Sequence, residues 1–213
     1  MSRIIDALEI TPGANIRADR IAVTGCSRNG KGAFVAGMFE ERVALTIPQE
    51  SGAGGTACWR LSDWQREVGG EEVQTAGQIV GENVWLSEGF ADWADQVEAL
   101  PYDHHEMAGM IAPRGLLVVD NPDFLWLGPW SSYGCMEAGR LVYSALGVGE
   151  NLGMSSVEDH DHCSFPVDRQ QPDLFACYRR FLLDEEADTD VFYSTSDIQF
   201  PLEEWVEWDA PSL

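Results

Sequence analysis

Short apolar runs alternate with segments of helical periodicity along most of the chain. Four of these runs contain β-branched or other apolar residues at nearly every position, which is typical of strands buried on both faces of a sheet. They lie at residues 20–24, 43–48, 114–120 and, with a weaker signal, 153–158. Helical patterns occupy residues 3–9, 31–41, 136–146 and 172–183. Strands that alternate with helices predict a parallel α/β sheet.

The rest of the chain shows neither pattern. Residues 52–110 are rich in glycine, tryptophan and acidic side chains, and we expect loops and helices there rather than sheet. From residue 184 onward the sequence is acidic, and we expect it to wrap the surface or to be partly disordered. There is no internal repeat and no linker-like stretch, so the chain is expected to form one domain with a tail.

The motif with the clearest chemistry is Gly25-Cys26-Ser27-Arg28-Asn29-Gly30, predicted as a turn between a strand and a helix. This context is what a nucleophile elbow needs, and the N-terminus of the helix favours the negative charge that develops in acyl transfer. The motif departs from G-x-S-x-G because Asn29 stands where the second glycine would be. The pattern alone therefore fits a plain strand–turn–helix connection equally well.

A serine nucleophile needs a base, and the sequence offers two histidines close together. His160 and His162 would point the same way on an extended segment, so spacing does not choose between them. Either one could also be a solvated loop histidine beside Asp159 and Asp161. A His-x-His metal pair lacks further ligands at suitable spacing, so we predict no metal site.

Two carboxylates are candidates for the group that orients the base. Glu50 follows the predicted strand after the nucleophile helix, and Asp120 follows the next strand. A carboxylate at such a position can fix the imidazole tautomer and stabilise its positive charge. The generic hydrolase pattern favours Asp120, although Asp120 before Asn121 and Pro122 could simply cap a turn.

Composition excludes several classes of partner. The 213 residues include 36 acidic and 13 basic side chains, for a net charge of −23, which argues against binding nucleic acid or an anionic membrane. No apolar run approaches the ~20 residues of a membrane helix, and the first residues lack the pattern of a secretory signal. The five cysteines form no CxxC pair, so a structural zinc is not expected.

Several blocks together resemble one family. The first block is VTGCSRNGKGA at residues 23–33. It resembles the signature of the glucuronoyl esterases, carbohydrate esterase family fifteen, and in particular that of the fungal type. Three further blocks follow in the family's order: PQESG at 48–52, WLGP at 126–129 and HCSFP at 162–166. The family's N-terminal part has no counterpart. We therefore expect residues 1–183 to be the C-terminal part of a three-layer α/β-hydrolase domain, followed by an acidic tail at 184–213.

The resemblance implies a role for each matching residue. It assigns Ser27 as nucleophile, His162 as base in preference to His160, and Glu50 as acid in preference to Asp120. It places the backbone N–H and the guanidinium of Arg28 at the oxyanion. It assigns the sugar contacts to four residues, Lys31, Gln74, Glu82 and Trp126. It also implies two disulfides, Cys26 with Cys163 and Cys58 with Cys135, which leaves Cys177 as the odd thiol.

The implied activity is that of a secreted serine esterase. It would cleave esters between the (4-O-methyl-)glucuronic acid of xylan and lignin alcohols through an acyl-enzyme, without a cofactor, a metal or an obligate protein partner. Two alternatives stay open: a truncated, non-catalytic or unstable fragment of such an enzyme, and a carbohydrate deacetylase on the same fold. Because neighbouring strands would be missing, residues 20–24 are expected to form an edge strand with apolar surface beside it.

Overall fold

The computed structural model describes residues 1–82, 85–208 and 210. Its sheet contains five strands: Ile21–Cys26 (β1), Val43–Gln49 (β2), Gly115–Asp120 (β3), Leu152–Ser156 (β4) and Phe192–Ser194 (β5). The strands lie side by side in chain order, and each neighbouring pair is parallel. The α-helices are Ser2–Glu9 (α1), Arg28–Phe39 (α2), Trp59–Glu67 (α3), Ala76–Glu82 (α4), His104–Gly109 (α5), Pro129–Ala145 (α6), Val167–Leu182 (α7) and Leu202–Trp205 (α8).

Helices cover both faces of the sheet. The side chains of β3 are buried on alternating sides: Leu116 and Val118 pack with α2 and α6, whereas Leu117 and Val119 pack with α7. This alternation explains why the strand reads as a continuous apolar run. The predicted three-layer parallel α/β architecture is confirmed. No helix in the described residues is long and apolar enough to cross a membrane.

The boundaries differ from the predicted ones mainly where a turn or a proline starts a helix. α2 begins at Arg28 rather than at Lys31, because the turn between β1 and α2 consists of Ser27 alone. α6 begins at Pro129, seven residues before the predicted start, and the fixed φ of proline suits that first helical position. The weak strand signal at 153–158 corresponds to β4.

The segment from residue 184 onward contributes to the sheet, which its sequence did not predict. β5 is three residues long and pairs with β4, and its residues are only half-buried, so it has no apolar run to reveal it. A further helix, α8, follows β5 and packs its Trp205 against Trp64 and Trp130. Residues 209 and 211–213 of the predicted tail lie outside the described residues.

β1 lies at one end of the sheet, as predicted, and pairs only with β2 in the described part of the chain. Ile5 of α1 packs with Val23 of β1, which places α1 beside this edge. Ile4 and Ile10, on and just after α1, expose 61% and 81% of their surface. The apolar residues of β1 itself, Ile21, Ala22 and Val23, are buried or half-buried, so apolar surface beside the free edge of β1 stays a prediction.

Two glycines of α2 provide a matched test of how this helix packs on the sheet. A Cβ atom at Gly37 would lie 2.8 Å from the Cβ of the fully buried Thr46 on β2, whereas a Cβ at Gly32 would meet nothing within 4 Å. We expect Gly37→Ala to lower the free energy of unfolding by about 2 kcal/mol through overpacking. Gly32→Ala should instead raise it by about 0.5–1 kcal/mol through helix propensity. Urea unfolding monitored by circular dichroism measures both, and equal effects would contradict this packing.

Candidate active site

Ser27 occupies a strained turn between β1 and α2. Its φ of 58° and ψ of −124° are unusual for a residue other than glycine, and its N–H donates to the Gln49 carbonyl at 2.9 Å. A Cβ at Gly30 would lie 2.7 Å from that same carbonyl oxygen and 3.0 Å from the Gly25 carbonyl oxygen. The close approach of α2 to the end of β2 therefore falls on residue 30, which explains why the second glycine of this motif stands one position later.

Glu50 occupies the equivalent position after β2. Its φ is 43°, its N–H donates to the Val119 carbonyl at 2.8 Å, and its side chain is fully buried. Three donors surround the carboxylate: His162 Nδ1 at 2.5 Å and the Cys163 N–H at 3.0 Å on Oε2, and Gln49 Nε2 at 3.1 Å on Oε1. A buried carboxylate with these partners can keep its negative charge.

The structure brings His162, rather than His160, to Glu50. The His162 ring packs near Phe124, with ring centroids 5.1 Å apart, and about a third of its side chain (34%) is exposed. Because its Nδ1 faces a carboxylate, its Nε2 is left as the proton acceptor. His160 Nδ1 instead lies 3.0 Å from the Asp161 carbonyl oxygen. Of the two histidines, His162 is therefore the one that contacts Glu50 in this structure.

A disulfide joins the two sides of this site. Cys26, just before Ser27, is bonded to Cys163, just after His162, with Cα atoms 5.7 Å apart. In the described residues no hydrogen bond links the Ser27 hydroxyl to the His162 ring, and catalytic contacts of this kind often tighten only when substrate binds. The two sulfur atoms and a nitrogen of His162 lie within 4.8 Å of one another. Since both sulfurs are in the disulfide, they are not thiolate ligands for a metal.

The remaining cysteines pair as the resemblance implies. Cys58 and Cys135 form the second disulfide, with Cα atoms 5.4 Å apart, and it crosslinks the start of α3 to α6. Cys177 is the free thiol; it is buried under the sheet on α7, and burial raises its pKa to about 12. A thiol held protonated in this way is a core residue rather than a nucleophile.

Asp120, the rival acid, has a different partner. It is buried, and its Oδ1 accepts the N–H of Asn121 at 3.0 Å, which is the turn cap considered above. Burial, together with the neighbouring charge of Glu50, raises the pKa of Asp120 to about 7. No hydrogen bond joins it to His162 among the described residues. In this structure the hydrogen bond to His162 Nδ1 is made by Glu50 and not by Asp120.

Lys31 is the only lysine of the chain, and it lies one turn of α2 beyond Ser27. Its Nζ donates to the Ser51 and Ala53 carbonyls at 2.5 and 2.6 Å, and to Gln74 Oε1 at 3.3 Å. The Gln74 N–H in turn donates to the Trp126 carbonyl at 2.8 Å. Burial lowers the pKa of Lys31 to about 7. Three of the four predicted sugar contacts are thus linked in one network.

Two predicted residues lie outside this network. Glu82 ends α4, is exposed, and makes no hydrogen bond or ion pair with the described residues around it. Arg28 begins α2, where its backbone N–H has no acceptor within the helix. Its guanidinium lies over the Trp85 ring, 5.6 Å from the centroid. Trp85, Phe124 and Gln49 were missed by the sequence reasoning, although Gln49 directly precedes Glu50 and Phe124 lies two positions before Trp126.

The chain is similar to curated glucuronoyl methylesterases over its whole length. The 4-O-methyl-glucuronoyl methylesterase of Hypocrea jecorina is 50% identical over 213 residues, which is 100% of this chain and 45% of that protein. The 4-O-methyl-glucuronoyl methylesterase 1 of Wolfiporia cocos is 52% identical over 218 residues, which is 100% of this chain and 53% of that protein. The chain therefore spans about half the length of the curated relatives it matches.

Solved structures give the same result. The Hypocrea jecorina glucuronoyl esterase catalytic domain has a TM-score of 0.95 at 50% identity, and the match covers 100% of this chain and 57% of that one. A serine-to-alanine mutant of the Sporotrichum thermophile glucuronoyl esterase, in complex with methyl 4-O-methyl-β-D-glucopyranuronate, has a TM-score of 0.92 at 47% identity and matches 99% of this chain and 57% of that one. The family description "Glucuronyl esterase, fungi" matches residues 1–147. The chain belongs to this fungal glucuronyl esterase family.

Proposed function

We propose that this chain carries the hydrolysis of an ester of glucuronic acid, with Ser27 as nucleophile and His162 as base. The observation that carries the proposal is the contact of His162 Nδ1 with the buried Glu50, tied to Ser27 through the Cys26–Cys163 bond. Relatives named 4-O-methyl-glucuronoyl methylesterases, and a solved relative with a methyl glucuronate ester bound, support the choice of substrate.

In the proposed reaction the Ser27 hydroxyl attacks the ester carbonyl while His162 Nε2 takes its proton. Glu50 holds the ring in that tautomer and stabilises the imidazolium. The oxyanion lies at the N-terminus of α2, near the free N–H and the guanidinium of Arg28. The alcohol leaves with the proton from His162. Water then attacks the acyl-enzyme by the same route, which releases the acid and regenerates Ser27.

The substrate's sugar would be bound by the residues around Lys31. The linked Lys31, Gln74 and Trp126 offer donors, acceptors and an indole surface to a sugar ring. Glu82 would contribute from α4 when substrate is present. A deacetylase would bind its sugar as the alcohol half of the ester, whereas the relatives that this chain matches are named for esters in which the sugar supplies the acyl half. We therefore favour glucuronate esters of xylan with lignin alcohols over acetylated sugars.

The proposal extends to the organisation and location of the chain. Residues 1–183 would be part of the hydrolase domain, with residues 184–213 adding β5 and α8 to it. The two disulfides support folding in an oxidising compartment, and hence secretion.

Removing the nucleophile or the base tests the proposal. Ser27→Ala and His162→Ala should each lower the hydrolysis of a methyl 4-O-methyl-glucuronate by about a thousand-fold or more, because these residues act as a unit. His160→Ala should stay within about two-fold of the parent. Release of the acid can be followed by pH-stat titration, with circular dichroism to check folding. A crippling His160→Ala beside a mild His162→Ala would reverse the assignment, and faster release of acetate from acetylated xylan would favour the deacetylase.

The two buried carboxyls can be separated by isosteric changes. Glu50→Gln removes the charge that faces His162, so it should lower kcat by about a hundred-fold or more. Asp120→Asn keeps a side chain of the same shape beside Asn121, and kcat should fall by less than about ten-fold because no contact with His162 is lost. The same ester assay measures both variants. Equal losses would mean that the two carboxyls share the orienting role.

The pKa of Lys31 can be measured directly because the chain has a single lysine. Incorporation of lysine labelled with ¹³C at Cε gives one side-chain signal, and its titration midpoint should lie at about 7. The amine then carries its proton below that pH and is neutral above it, because burial disfavours the charge. Lys31→Met should remove the signal. A midpoint near the usual lysine value of about 10.4 would show that Lys31 is solvated instead.

A further inference from the structure

Among the residues that the structure describes, Arg28 differs from the other arginines in having no polar partner for its side chain. The chain contains 13 basic residues, of which one is lysine and the other twelve are arginines. Eleven of the twelve arginines form a hydrogen bond or an ion pair with described residues. Arg28 forms neither with any described residue, although the chain carries 36 acidic side chains. No carboxylate of the described residues pairs with its guanidinium.

The partner of Arg28 is the indole of Trp85. The guanidinium carbon lies 5.6 Å from the ring centroid, a distance at which the ring quadrupole attracts a cation. Lys31 Nζ lies 5.9 Å from the same ring, but Lys31 is already fixed by its three acceptors. Removing Trp85 would therefore release Arg28 and leave Lys31 largely in place.

An aromatic partner suits a guanidinium that must stabilise an oxyanion. A carboxylate would neutralise the guanidinium and occupy its N–H groups. The face of an indole attracts the cation without accepting those N–H groups, which lie in the plane of the guanidinium and remain available. Restricting an exposed arginine before the reaction also removes the entropy cost of ordering it in the transition state.

We propose that Trp85 is a positioning residue for the esterase reaction, which holds the Arg28 guanidinium beside Ser27 so that it meets the developing oxyanion. This inference rests on the proposed function, because it assigns Arg28 to the oxyanion. It adds a residue that neither touches the reacting atoms nor belongs to the sequence blocks that define the site.

A double-mutant cycle separates positioning from a structural role. Trp85→Leu should lower kcat about five-fold with KM nearly unchanged, and Trp85→Phe should restore most of that loss, since a phenyl face also attracts the cation. In an Arg28→Ala background the same Trp85→Leu change should alter kcat by less than about two-fold. Trp93→Leu is the matched control: Trp93 is 38% exposed against 39% for Trp85, lies in the same segment, and should leave kcat unchanged. Equal losses in both backgrounds would mean that Trp85 acts structurally and would overturn the proposal.

A second measurement does not depend on turnover. In ¹⁵N-labelled full-length chain the Nε–Hε signal of Arg28, identified by its loss in Arg28→Lys, should be ordered on the nanosecond timescale and shifted by the indole ring. Trp85→Leu should abolish both properties, and Trp93→Leu should abolish neither. An unchanged Arg28 signal in Trp85→Leu overturns the contact whatever the activity. If the parent chain does not hydrolyse the ester, the proposed function fails, and this measurement then decides the Trp85 contact on its own.

Discussion

The site depends on two residues with a positive φ. Each comes directly after one of two neighbouring parallel strands. Ser27 follows β1 with a φ of 58°, and Glu50 follows β2 with a φ of 43°. Each donates its N–H to the carbonyl of the last or next-to-last residue of the adjacent strand, Gln49 for Ser27 and Val119 for Glu50. The hydrogen-bonding ladder of the sheet thus extends one residue into each turn, and the strain of each turn is held by the strand beside it.

The geometry of these two turns limits which groups can surround the Ser27 and Glu50 side chains. Gln49 holds three parts of the site at once, since its carbonyl accepts the Ser27 N–H and its amide donates to Glu50 and to the Ser164 carbonyl. The loop that brings His162 to the sheet is therefore fixed at Ser164 by Gln49 and at Cys163 by both Glu50 and the disulfide to Cys26. His162, the proposed base, is thus held by backbone groups and a covalent bond on a loop that is otherwise exposed.

Periodicity predicted the sheet well because parallel strands such as β3 are buried on both faces and stand out as apolar runs. It did not predict β5, whose three half-buried residues have no such pattern, nor the early start of α6, which depends on a proline. The site residues came from motif blocks, and spacing alone could not separate His160 from His162, because tertiary contact with Glu50 makes that distinction. Trp85 had no local signal, since its partner Arg28 lies 57 positions earlier and the contact exists only in the folded chain.

Neutral groups hold both basic side chains of the site. Under the proposed function, a net charge of −23 would oppose the formation of an oxyanion and of a carboxylate product, so positive charge near Ser27 would act against the field of the whole chain. An ion pair would cancel that local charge. Lys31 is held by backbone carbonyls and an amide, and Arg28 by an indole, while the nearby Glu50 is directed to His162. The Arg28 guanidinium is not neutralised by its indole partner, whereas burial lowers the pKa of Lys31 to about 7, so Lys31 carries a positive charge only below that pH.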